Sequence, residues 1–113
     1  MVDAVLDKKA LEVTLLDLRE VEEAICDYFL ICEGGSPTQV KAIADNIQYR
    51  CKHELGEYAS TVEGTSVAEW VLVDYFDIVV HVFLTEKRKF YNLEELWGDA
   101  KQTQFDEFGK EVK

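Results

Sequence analysis

The sequence predicts an α/β (α+β) fold: a β-sheet of about five strands flanked by helices, with one domain over residues 1–100 and a loosely held tail over 101–113. Three observations carry this prediction. Five short runs rich in β-branched and aromatic residues are separated by turn residues, the signature of buried strands. A single long amphipathic stretch with well-marked ends sits among them. The length of 113 residues suits one compact domain, which buries roughly two thirds of its unfolded surface and needs no staples.

Taken in order, Val2, Val5, Leu6 and Ala10 mark a short N-terminal helix over Val2 to Leu11. VTLLDL (Val13 to Leu18) and YFLIC (Tyr28 to Cys32) read as strands, joined by the charged REVEEAICD as a helical turn or loop. Gly34-Gly35-Ser36-Pro37 then breaks the pattern. Ser36 with Gln39 makes a capping box, and Pro37 takes the first helical position. Val40, Ile43, Ala44, Ile47, Cys51 and Leu55 recur at helical spacing, and Gly56 is placed to end the helix in a left-handed conformation.

Tyr58 to Val62 reads as a short strand and Glu63-Gly64-Thr65-Ser66 as a turn. Glu69 to Val73 and Ile78 to Leu84 form an antiparallel hairpin across Asp74-Tyr75-Phe76-Asp77. Its tip lacks the glycine or asparagine of a primed turn, so a type I turn with a bulge or a slightly longer loop is expected, with two exposed aromatics. IVVHVFL is apolar on both faces, as a strand covered on both sides, or covered on one and used for binding on the other. EKRKFYNLEELW predicts two short helices broken near Asn92, where Asn92 and Glu95 suggest a second capping box. The polar stretch beyond, with Phe105 and Phe108, is assigned to the tail.

Charge narrows the partners. With 23 acidic and 12 basic side chains the net charge is −11, which repels phosphate backbones and anionic headgroups. The acidity lies toward the N-terminus, and a basic protein surface is its complement. No segment approaches ~20 uninterrupted apolar residues, so no membrane span is expected. MVDAVLDKKALE shows neither a secretory signal nor a transit peptide. Cys26, Cys32 and Cys51 have no metal-ligand spacing and read as core or near-core thiols. The expectation is a soluble, cytoplasmic protein without a cofactor or metal.

Candidate chemistry is thin. Gly35-Ser36 ahead of a helix can present N–H groups to phosphate, and nucleotidyltransferases pair such a motif with metal-binding carboxylates. Here Asp74 and Asp77 are spaced by three, where one strand face needs two, and no Lys or Arg lies beside the glycines. The bland reading is a helix cap and two hairpin carboxylates, and the enzymatic alternative is a minimal nucleotidyltransferase using Ser36, Asp74, Asp77 and magnesium. His81 reads as a strand imidazole that packs and makes one hydrogen bond. Trp70, Tyr75, Phe76, Tyr91 and Trp97 carry more information, because large aromatics at element ends anchor protein interfaces. Core packing is the competing reading for Trp70 and Trp97. Lys87-Arg88-Lys89 is a solvated helix face, or a contact to nucleic acid.

Three blocks, DYFLICEGGSPTQVKAIAD, VEGTSVAEWVLVDYFDIVVHVFL and FYNLEELW, resemble the Iojap/RsfS ribosomal silencing factors in order and spacing from about Leu11 to Trp97. The resemblance implies a mixed sheet shaped like that of nucleotidyltransferases but without their catalytic residues, and no reaction. It implies an adaptor that binds a basic ribosomal protein on the intersubunit face of the large ribosomal subunit, blocks joining of the small subunit and represses translation when nutrients are short. A minor contact with ribosomal RNA and a homodimer in isolation are compatible with it. The motif positions are Trp70, Asp74, Asp77 and Tyr91, and the expected contact residues are Trp70, Asp74, Tyr75, Asp77 and Tyr91.

Overall fold

A computed structural model describes residues 2–22 and 24–112. The elements run α1 (Val2–Leu6), β1 (Leu11–Asp17), β2 (Tyr28–Gly34), α2 (Pro37–Arg50), β3 (Thr61–Glu63), β4 (Trp70–Asp74), β5 (Ile78–Leu84), α3 (Thr85–Tyr91), α4 (Leu93–Leu96), β6 (Lys101–Phe105) and β7 (Glu111–Val112). The strands form one mixed sheet in the order β3-β4-β5-β2-β1-β6-β7. Among the described residues only β2 and β5 pair in parallel, from Tyr28 opposite Ile78 to Gly34 opposite Leu84. The helical crossover through α2 makes that pairing possible, since a tight turn can join only antiparallel neighbours.

The α2 start behaves as its sequence dictates. Ser36 Oγ accepts the Gln39 N–H at 3.2 Å. The return arm of the cap lands one residue early, on the Gly35 N–H, which Gln39 Oε1 accepts at 2.9 Å. The Gln39 amide also donates to the Lys8 and Lys9 carbonyls, so one side chain ties the helix start to the chain leaving α1. Val40, Ile43, Ala44 and Ile47 are buried against the sheet. Past Arg50 the helix widens into one π-helical turn over Cys51–Leu55, and Gly56, at φ +67°, ends it.

One face of the sheet, bearing Val13, Leu30, Cys32, Val71, Val73, Val80 and Val82, closes under α1 and α2. The other, bearing Leu16, Phe29, Ile31, Val79 and Phe83, is partly covered by Leu18, Leu93 and Ala100. Gly64 is fixed by close approach: at φ +87°, an added Cβ would sit 2.1 Å from the Trp70 carbonyl oxygen. The turn before β4 thus sets where Trp70 enters the sheet.

Several expectations need correction. Among the described residues the sheet has seven strands rather than about five. Both additions come from the segment read as a loosely held tail: β6 pairs antiparallel with β1 from Val13–Phe105 to Asp17–Lys101, and β7 pairs with β6. Without β6 the outer edge of β1 would leave its backbone donors and acceptors unpaired in the sheet. The first helix ends at Leu6, because Leu11 already begins β1. The strand expected over Tyr58 to Val62 forms later, at Thr61–Glu63. Asn92 does not cap α4 with its side chain. It adopts φ +43° at the end of α3, and its amide instead donates to Glu95 Oε2 at 2.6 Å. The helix break itself falls at Asn92, as the sequence predicts.

Candidate functional site

Because β2 and β5 run in parallel, the residues before β5 lie at the starting end of β2, and Leu84 lies beside Gly34 at the other end. The five expected contact residues divide between these ends. Trp70 pairs with Phe83 and Tyr91 closes the helix that follows β5, so these two meet, ring centroids 4.6 Å apart. Asp74, Tyr75 and Asp77 occupy the opposite tip, roughly 13 Å away along β4 at a strand rise of ~3.3 Å per residue.

At that tip the turn is tighter than a type I turn with a bulge. The Asp77 N–H donates to the Tyr75 carbonyl across Phe76, and the Tyr75 N–H to the Ile78 carbonyl. Phe76 takes φ +68°, stabilised by its own N–H donating to Asp74 Oδ1 at 2.8 Å. The Asp77 carbonyl accepts the N–H groups of Asp27 and Tyr28. Asp74 therefore serves the turn through its carboxylate and Asp77 through its backbone. Tyr75, expected to be exposed, is only 8% accessible and packs in the α2-side core, whereas Phe76 is 75% exposed. Burial pushes the Tyr75 phenol well above its ordinary range.

An aromatic face begins at the other end and runs back along β5 toward Phe29 near the start of β2. Trp70 stacks on Phe83 at 5.1 Å and 27°, Tyr91 lies against Phe83 at 5.9 Å, and Phe29 meets His81 edge-on at 4.6 Å. Trp97 closes on Phe29 at 5.7 Å, nearly perpendicular. Strand pairing explains the grouping. Trp70 faces Phe83, and Leu72 faces His81, so side chains of one parity project to one face of β4 and β5. The Trp70 Nε1–H donates to His81 Nδ1 at 3.0 Å. Burial among these rings pushes the His81 imidazole down to about 4, which keeps it neutral. Trp70 and Leu72 remain half-buried, while Tyr91 is 40% exposed and Phe90 is 78% exposed. Rigid rings, apolar area and little side-chain entropy left to lose are the properties by which such a face can meet a protein partner.

The family model described as "Ribosomal silencing factor during starvation" matches residues 1–113. The chain belongs to the ribosomal silencing factor family. It is similar to the ribosomal silencing factor RsfS of Halalkalibacterium halodurans, with 48% identity over 99 residues, covering 88% of this chain and 83% of that one. The Bacillus subtilis RsfS is 46% identical over 100 residues, with 88% and 83% covered. A chloroplastic Iojap protein of Zea mays shares 37% identity over 73 residues, 65% of this chain and 31% of that protein. Among solved structures, a Chromobacterium violaceum protein superposes with TM-score 0.81 at 37% identity, covering 86% of this chain and 79% of that one.

Within this member of the silencing factor family, the residues of the enzymatic alternative do not come together. Ser36 follows the end of β2, where its oxygen serves as the α2 cap, while Asp74 and Asp77 flank the opposite tip. A seven-residue strand separates them by roughly 20 Å. The basic cluster also divides. Arg88, expected on a solvated helix face or at nucleic acid, is buried. Its guanidinium donates to Glu33 Oε1 at 3.2 Å, to Thr14 Oγ1 at 3.1 Å and to the Glu12 carbonyl, and it pairs with Glu94 at 3.4 Å. Of the cluster, Lys89 is exposed and Lys87 half-buried. Sequence reasoning singled out Trp70 and Tyr91 but missed Phe83, Leu72 and Phe29 as their support. The period-two alternation of WVLVD and IVVHVFL carries that signal, since it sets Trp70, Leu72, His81 and Phe83 on one side.

Proposed function

We propose that this protein binds the large ribosomal subunit through a basic ribosomal protein on the intersubunit face, and that its bulk there keeps the small subunit from joining. Translation then falls when nutrients are short. It acts by occlusion and catalyses no reaction. The observation that carries this reading is the half-exposed Trp70–Tyr91 platform on the sheet face opposite α2, in a chain of the silencing factor family. A net charge of −11 favours a basic protein partner over RNA. Of the basic cluster on α3, Lys87 and Lys89 are left to contact ribosomal RNA beside the platform.

The test is co-sedimentation with isolated ribosomal subunits on sucrose gradients, followed by mixing of both subunits. Co-migration with the large subunit and a reduced yield of joined ribosomes is the expected result. Protein left at the top of every gradient refutes it. Trp70→Ala or Tyr91→Ala should weaken binding by about 2 kcal/mol, near thirtyfold, with the fold retained. Wild-type affinity in a folded W70A variant would move the interface elsewhere, with the Asp74–Asp77 tip as the next candidate.

A further inference from the structure

His81 sits in the aromatic face with 4% of its surface accessible. Because its Nδ1 accepts the Trp70 indole N–H, the neutral ring carries its proton on Nε2. That Nε2 is buried without a hydrogen-bond partner among the described residues. An unpartnered buried donor costs stability, and a leucine or phenylalanine at the same place would avoid the cost. What the imidazole adds is the bond to Trp70.

That bond selects an orientation. Contacts with Phe83 at 5.1 Å and Tyr91 at 4.6 Å hold the plane of the indole but do not distinguish it from the ring turned over about its second side-chain torsion. Only one of the two places Nε1 on the imidazole. The bond also consumes the sole hydrogen-bonding group an indole has.

We propose that His81 is a positioning residue for partner recognition: it fixes one Trp70 pose and withdraws the indole N–H, leaving the ring surface to meet an aliphatic or cationic protein side chain. A phosphate or carbonyl acceptor would find no donor on Trp70. This inference rests on the reading that the Trp70 face is the ribosome-binding surface.

The experiment uses the full chain labelled with 15N, the Trp97→Phe variant to assign the two indole signals, and isolated large subunits as the binding probe. His81→Leu removes the acceptor, whereas His81→Asn can place an amide oxygen near the position of Nδ1. In H81L the Trp70 indole proton should move upfield and lose protection from exchange, and affinity should fall about fivefold or more. In H81N both should return toward wild type. If H81L fails to unfold cooperatively, His81→Phe, whose ring suits the site between Phe29 and Trp70, takes its place. Wild-type affinity in a folded variant whose indole signal has moved overturns the inference while the proposed function stands. An unmoved indole signal overturns it as well. Wild-type protein that never co-migrates with the large subunit removes the underlying reading, and this inference falls with it.

Discussion

Desolvation keeps the His81 imidazole neutral: the rings of Trp70, Phe29 and Phe83 replace the water that would stabilise its charge. The folded chain therefore refuses, down to about pH 4, a proton that the unfolded chain accepts below about 6.5. More protons bound in the unfolded state means stability that rises with pH across this window and is lost as pH falls from 6.5 toward 4. The loss should approach 1.4 kcal/mol per pH unit. Urea titrations of wild type and H81N at pH 7, 6, 5 and 4.5 would read it as a gap that shifts in favour of the variant on acidification. A parallel pair of curves would mean that His81 titrates normally. At this scale the sequence singled out Trp70 and Tyr91, whose rings the fold brings together, because bulky aromatics at element ends are informative by themselves. It did not reveal that Tyr75 points inward, because that depends on a three-residue turn at Phe76 that no residue of positive-φ preference announces.

Among the elements, α3 matters most to the site, because it carries Tyr91 to Trp70. Arg88 anchors α3 by reaching across to Glu33 on β2 and to Thr14 and Glu12 on β1. Removing one member of such a buried pair strands the other charge. Arg88→Met should therefore cost about 3–5 kcal/mol, while Glu33→Gln combined with Arg88→Met should recover most of the loss. Chemical denaturation of the two single variants and the double variant measures this coupling directly. Additive losses would show that the pair is not what holds α3. Element by element, α2 was legible because its cap, its proline and its terminal glycine agree with its periodicity. β5 was legible because seven apolar or aromatic residues can be buried on both faces. β6 was not: KQTQF alternates no apolar stripe, and its place is set by the open edge of β1, a long-range pairing that local composition does not encode. Arg88 was misjudged for a related reason, since the carboxylate that draws it inward lies 55 residues earlier in the chain.

For the whole molecule, charge decides what kind of surface it can meet inside a particle built mainly of RNA. A protein that gains its affinity from phosphates releases one condensed counterion per contact, so log K falls with log salt at about −0.7 to −0.9 per phosphate. This chain carries −11 overall, and Arg88, the central residue of the Lys87-Arg88-Lys89 cluster, is already spent on Glu33. Beside the aromatic platform, α3 offers only Lys87 and Lys89 to phosphate, at most two contacts if the chain docks by that face. The dependence of large-subunit affinity on salt should then be shallow, with a slope no steeper than about −2 between 50 and 300 mM salt, and replacing both lysines by alanine should flatten it further. Contacts at the aromatic platform should persist through this range, since apolar burial is not screened and buried charges are screened far less than exposed ones. Affinities measured at four salt concentrations, for wild type and for the double-lysine variant, provide the slope. A value near −5 would mean that ribosomal RNA supplies most of the binding, and it would move the search for the docking surface away from Trp70 and Tyr91.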